Sequence, residues 1–300
     1  MHTDWILGCF FSFFGLVGNS WVIFIIAKRR RLQTTANWFI LSLAVADVCV
    51  TCAYFPAVMI CEVGDDVECT GDIPHIVLYF FRDVSAICLI AMVAERYIAI
   101  VHPLKYLSVL TTTRKVIIIA SCWAFPFLLA ICQLIYLASS GRFAAETRTF
   151  VLIHRVLFVV LPTIFVLSVH FQIIITARKL SRDMQILLKQ IRFNAVANSV
   201  KIVEARNVGL RTSTVSLTSV IIIIFIACYG IEIHLSICFY LYVCDPSEFE
   251  LVVANLLFFA NSTLNPLVYA IFKEDIKRES KALMNRMRCL NVRLFRGHSE

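Results

Sequence analysis

Charge is scarce in this chain. Of its 300 residues 16% are Asp, Glu, Lys or Arg and 60% are hydrophobic, with a mean hydropathy of +0.82. A water-facing surface needs more charge than this, so a soluble globule is excluded. Other absences exclude other classes. No run of acids follows one helix as a proton relay requires, no loop reads as a selectivity filter, and the two halves show no inverted repeat, which removes the pump and channel readings. No nucleophile, base and orienting group fall together, and no His, Cys and carboxylate spacing points to a metal. The chain is therefore expected to be no enzyme and to need no cofactor beyond an ion. Four residues precede the first apolar run without a basic stretch and cleavage site, so the first helix is expected to act as the insertion signal.

What is present in quantity is bilayer-length apolar sequence. Seven runs of at least about 20 residues occur, at 5–27, 36–61, 73–101, 116–138, 149–177, 213–243 and 251–272. They predict an all-α membrane protein: a seven-transmembrane helix bundle over residues 1–272, followed in 273–300 by a short amphipathic eighth helix and a cytoplasmic tail. Basic residues set the orientation, because short cytoplasmic loops collect Lys and Arg. Of the 28 in the chain, 24 fall on the side of the even-numbered ends, including Lys28 to Arg31, Arg96, eight from Arg178 to Arg211 and eight from Lys273 onward. Ten acids lie on the other side. This predicts a plasma-membrane protein with its N-terminus outside and C-terminus inside. The net charge of +8 is then a topology signal with some attraction to anionic membrane lipids, and no nucleic-acid partner is expected.

Most of the twelve cysteines fall inside apolar runs, where a thiol is a small hydrophobe. Cys61 and Cys69 flank the first outer loop, and Cys238 and Cys244 bracket the outer end of the sixth run; both pairs lie where oxidation is permitted. The sequon Asn261-Ser262-Thr263 is buried in the seventh run. Cys289, after the amphipathic stretch 273–288, is a candidate for palmitoylation or a free thiol.

Ionisable groups at membrane depth cost at least about 2–3 kcal/mol and mark sites. Here they are Asp47 in the second run, Arg82, Asp83, Glu95 and Arg96 in the third, Arg155 in the fifth and Glu232 in the sixth. Arg82 is i+4 from Leu78 and i−3 from Ser85, on a face directed into the bundle. Pairing with Glu232 across the cavity is expected. Asp83, about 100° further round, is expected to face His154 and Arg155. Two readings stand: a charged ligand crevice, or pairs that satisfy one another.

The ordered signatures carry a resemblance. Gly18-Asn19, Leu43-Ala44-Val45-Ala46-Asp47, Glu95-Arg96-Tyr97, Trp123, Pro162, Phe225-Ile226-Ala227-Cys228 and Asn265-Pro266-Leu267-Val268-Tyr269 cover all seven runs in order, and the chain resembles a rhodopsin-class G-protein-coupled receptor. The resemblance implies a heterotrimeric G protein as partner. It implies that Glu95, Arg96 and Tyr97, with Asn265, Pro266 and Tyr269, form the coupling machinery, and that Arg96 swings towards the fifth and seventh helices on activation. It further implies a sodium ion among Asp47, Ser85, Asn261 and Asn265, beside which a polar cluster without an ion stays open.

Several positions depart from that family. Arg211 replaces the usual acid at the foot of the sixth helix, so the inactive lock on Arg96 is expected to be weak. His170 stands where a tyrosine is usual, and Tyr229 stands for the usual tryptophan without the following proline. No cysteine occurs in the second outer loop or at Gly71, so the family's cross-link cannot form, and Cys61–Cys69 is the substitute considered first. Phe259 occupies the position of the retinal lysine, which excludes an opsin, and Leu78 replaces the aspartate of amine receptors. The ligand pocket is expected to include Leu78, Arg82, Asp83, His154, Arg155, Tyr229, Glu232 and Phe259. The function expected is transduction of an extracellular peptide or small polar ligand to the G protein; the alternative is a non-signalling scaffold, scavenger or dimerisation partner of the same fold.

Overall fold

In hydrocarbon no water reaches the backbone, so each apolar run closes its N–H and C=O groups on itself as a helix. The computed structural model describes residues 2–63, 72–140, 148–193, 198–241 and 243–296, and every regular element among them is helical. The spanning helices are α1 (His2–Lys28), α2 (Thr35–Val63), α3 (Asp72–Val101), α4 (Thr112–Ser140), α5, α6 (Asn198–Leu241) and α7 (Glu248–Phe272). α5 is continuous but has three parts: Arg148–Arg155, a wide π turn at Val156–Val160, and Leu161–Phe193. α8 (Glu274–Arg296) starts after a single extended residue, Lys273. Seven helices are long and apolar enough to cross a bilayer, so the chain is a multi-pass, all-α membrane bundle.

α5 and α6 run well past the apolar stretches 149–177 and 213–243. Hydropathy detects the bilayer, whereas the helices continue into basic sequence beyond it, which apolar run length does not register. The π turn has a local cause. Pro162 has no N–H to offer the preceding turn, and a wider turn ahead of it absorbs the missing bond.

α1 packs between α2 and α7, α7 beside α6, and α6 beside α5; α3 stands within this ring against α2, α4, α5 and α6. The shared core includes Ile25, Phe39, Leu43, Leu89, Met92, Ile173, Ile221, Phe225 and Tyr269, all buried. α4 turns Phe125, Phe127, Leu128 and Ile135 outward, the face expected of a helix solvated by lipid. Its Trp123 Nε1 donates to Ser42 Oγ at 3.0 Å, tying α4 to α2.

Two small residues let α1 approach α7. A Cβ on Gly18 would sit 3.0 Å from the Pro266 ring, and one on Gly15 would sit 3.0 Å from Thr263 Oγ1. Between them Asn19 Nδ2 donates to Gly15 O at 2.9 Å and to Ser262 O at 3.0 Å. Its amide therefore bridges α1 to α7.

α8 is held by its first two turns. Ile276 is buried, Trp21 Nε1 donates to Ser280 Oγ at 3.2 Å, and Arg29 pairs with Glu279 at 3.6 Å. Burial pushes the Asp275 carboxyl up, but Lys273 at 3.4 Å and the Asn37 amide at 3.1 Å more than offset this and leave it below the usual carboxylate range.

Candidate functional site

Three polar groups line the interior of the bundle. One lies in the half that ends in the acid-rich connections, one at mid-depth and one at the basic end.

The first is an ionic cluster shared by α3, α5 and α6. Arg82 Nη1 lies 3.4 Å from Glu232 Oε1 and its Nε lies 3.7 Å from Asp83 Oδ1. The guanidinium also stands over the Tyr79 ring, 4.8 Å from its centroid. His154 Nε2 is 2.8 Å from Asp83 Oδ2, and the imidazole stacks on Phe158. Arg155 reaches the second oxygen of Glu232. The expected Arg82–Glu232 contact is thus present, but it is not isolated. Arg155 belongs to Glu232 and not to Asp83, and Glu232 receives an arginine on each oxygen. Both Arg82 and Asp83 are buried, whereas the Arg155 side chain is 24% exposed and is the most accessible charge of the group. Tyr229 is buried and stacks on Phe225 at 4.3 Å between centroids; Phe259 is buried and Leu78 half-buried.

At mid-depth Asp47 is fully buried. Ser85 Oγ donates to its Oδ1 at 2.7 Å and Asn265 Nδ2 to its Oδ2 at 2.8 Å. Of the four residues expected around sodium, three therefore meet directly. Asn261 is also buried, and its Oδ1 makes no hydrogen bond. A carboxylate with two neutral donors and a nearby amide oxygen left without a donor is a hard, anionic oxygen set, and it fits a small cation. Asn265 presents its N–H to Asp47, so its part would be to orient the carboxylate.

At the basic end Glu95 is buried and makes two contacts. Arg96 Nε lies 3.1 Å from Oε2, and the Tyr106 hydroxyl donates to Oε1 at 2.5 Å. Tyr106 begins the short helical turn Tyr106–Val109 that follows α3. Burial and the adjacent carboxylate keep its phenol protonated, as a donor must be. Tyr269 is fully buried; its hydroxyl points to Met92 Sδ at 3.9 Å, one turn before Arg96, so tyrosine and arginine are near in register without a bond between them. Tyr97 packs edge-on against His102. The side chains of Arg211, Cys61, Cys69 and Cys289 lie outside the described residues.

Tyr106 was not legible in the sequence, since a tyrosine after Pro103-Leu104-Lys105 carries no spacing that aims it back at α3. Removing its hydroxyl as Tyr106→Phe is expected to cost about 1.5–3 kcal/mol, the range for a hydrogen bond to a charged group. A thermal midpoint unchanged from the parent would show that Glu95 is held by Arg96 alone.

A second group was read in part, since the Cys238–Cys244 pair was placed where oxidation is permitted but His234 beside it was not singled out. His234 and Cys238 lie one turn apart on α6, and Cys238 is disulfide-bonded to Cys244. The ligand atoms of His234, Cys238 and Cys244 lie within 4.8 Å of one another. The usable signal was the i, i+4 interval, which places two ligands on one helix face.

Comparison with known proteins agrees with this geometry. Residues 18–269 match the family described as 7 transmembrane receptor (rhodopsin family). Similar proteins include G-protein coupled receptor 54 of Oreochromis niloticus, 27% identical over 92% of this chain and 78% of that protein. The adenosine receptor A2a of Homo sapiens is 26% identical over 85% of this chain and 65% of its own length. The QRFP-like peptide receptor of Branchiostoma floridae is 23% identical over 91% and 74%. The chain spans about two thirds to three quarters of the length of these relatives. These are receptors and not enzymes, and the match covers every spanning helix from the Gly18-Asn19 pair of α1 to Tyr269 of α7. The chain belongs to the rhodopsin family of seven-transmembrane receptors.

Proposed function

We propose that the protein sits in the plasma membrane with α8 on the cytoplasmic side and transmits occupancy of the Arg82–Glu232 crevice to a heterotrimeric G protein at the Glu95–Arg96 end. One observation carries the reading. α3 bears both groups, Arg82 and Asp83 near one mouth and Glu95 and Arg96 near the other, about 20 Å apart along a single rigid element. The occupant suggested is a peptide or small polar ligand, because two arginines, two carboxylates and an imidazole offer donors and acceptors with little net charge. The relatives named for a peptide and for adenosine are compatible with either class. The residues suited to sodium are Asp47, Ser85 and Asn261, and an ion there would neutralise the carboxylate in the inactive bundle.

The experiment is a panel of G-protein activation assays on the expressed chain with candidate ligands, and with Arg96→Ala as the uncoupled control. Activation by no family of G protein, at normal surface expression, would favour the non-signalling reading, which Arg211, His170 and Tyr229 support. A narrower expectation follows from Arg211. A basic residue in place of the family's usual acid at this position would remove a restraint on Arg96 of about 1–2 kcal/mol and raise the active fraction several-fold. Arg211→Glu is therefore expected to lower ligand-free signalling, and equal or higher signalling at matched expression would refute it.

A further inference from the structure

At the acid-rich mouth, three potential metal ligands, His234, Cys238 and Cys244, come to one point, and Glu250 at the start of α7 lies against the imidazole. His234 Nε2 lies 3.6 Å from Cys238 Sγ and 3.3 Å from Glu250 Oε1. The sulfur of Cys244 is bonded to that of Cys238, and the ligand atoms of His234, Cys238 and Cys244 all fall within 4.8 Å of one another. A tetrahedral zinc ion with bonds of about 2.3 Å to sulfur and 2.0–2.1 Å to nitrogen and oxygen has edges of about 3.5 Å between S and N and about 3.3 Å between N and O. The two edges already present match these lengths. Glu250 is also prepared for the part. Its Oε2 accepts from the Ser247 backbone N–H at 2.8 Å and from the Ser247 hydroxyl at 2.9 Å, which fixes the carboxylate and leaves Oε1 for His234. His234 is exposed, so the point is open to ions in solution.

We propose that His234, Cys238, Cys244 and Glu250 form a zinc site that the Cys238–Cys244 disulfide switches off. A disulfide sulfur is a poor zinc ligand, and a thiolate is a strong one. Reduction by a low-molecular-weight thiol transfers two electrons to the disulfide, breaks the S–S bond and yields two protein thiols together with the small molecule's own disulfide. Zinc then displaces the two thiol protons and binds both sulfurs, with the imidazole nitrogen and a carboxylate oxygen completing the tetrahedron. In the reverse direction a small disulfide takes two electrons from the two thiolates, the S–S bond re-forms, two protons are consumed in making the small thiols, and zinc leaves. The ion would clamp the end of α6 to the start of α7, two residues beyond Glu232, and so acts on the rim of the ionic cluster.

The test uses the purified full-length chain, reduced and then freed of reductant, beside the oxidised chain. Zinc affinity is read by competition with a chromophoric chelator, and cobalt(II) is used as a spectroscopic substitute. The reduced chain is expected to bind zinc at least about tenfold more tightly than the oxidised chain, to show thiolate-to-cobalt charge transfer, and to release the metal on addition of oxidised glutathione. His234→Ala and the pair Cys238→Ser with Cys244→Ser are expected to lose this difference. Equal affinity in the two redox states, or undiminished binding by reduced His234→Ala, would overturn the proposal. That variant alters only an exposed side chain and leaves the disulfide intact during folding, so its result stands even if the double serine variant does not fold.

Discussion

Replacing Glu232 with alanine is expected to cost the purified receptor about 3–5 kcal/mol, more than any other single change in the ionic cluster. The reason is the count of partners left behind. Glu232 neutralises Arg82 and Arg155 together, and without it Arg155 loses its only ion-pair partner among the described residues. Arg82→Ala should be milder, because Asp83 keeps His154 and Glu232 keeps Arg155. In a double-mutant cycle the pair Arg82→Ala with Glu232→Ala should lose less than the sum of the single losses, since each removes charge that the other has stranded. Additive losses, or a larger effect from Arg82, would mean that the three side chains do not share one charge balance. Thermal or denaturant midpoints of the detergent-solubilised protein, with ligand potency where a ligand is in hand, provide the measurement.

Asp47 is expected to give the second large effect, and two substitutions divide it into parts. Asp47→Leu removes the acceptor for both Ser85 and Asn265, leaving two buried donors unmet at about 1–3 kcal/mol each. Asp47→Asn keeps a carbonyl oxygen and most of the packing, but not the charge. If sodium binds here, the wild-type midpoint should rise with sodium relative to a bulky organic cation at matched ionic strength, and the asparagine variant should not respond. A wild-type midpoint that follows both cations equally would dispose of the ion and leave Asp47 as a hydrogen-bonded strut.

The seven spans were legible because hydrocarbon imposes one solution on the backbone and charge asymmetry suggests its direction. Arg82 and Glu232 were legible for a related reason: isolated charges at membrane depth must find each other, and helical spacing gave the face. Arg155 was misread because adjacent residues on a helix point about 100° apart, so with His154 on Asp83 its neighbour is turned towards Glu232. The Asn19 bridge was not legible because spacing cannot show that Gly15 and Gly18 bring α1 close enough for its amide to reach Ser262. The contacts of Tyr106 and Cys244 depend on short connections whose path no periodicity encodes.

The Tyr106 contact separates two events that a bundle of this kind could otherwise perform as one. Glu95, which pairs with Arg96, is fastened to a connection outside the helical ring, whereas the ionic cluster at the far end of the same helix ties it to α5 and α6. No described residue of α6 takes part in that fastening. A protein that bound the Tyr106–Val109 turn would therefore act on Glu95 directly, from the side of the membrane opposite the crevice.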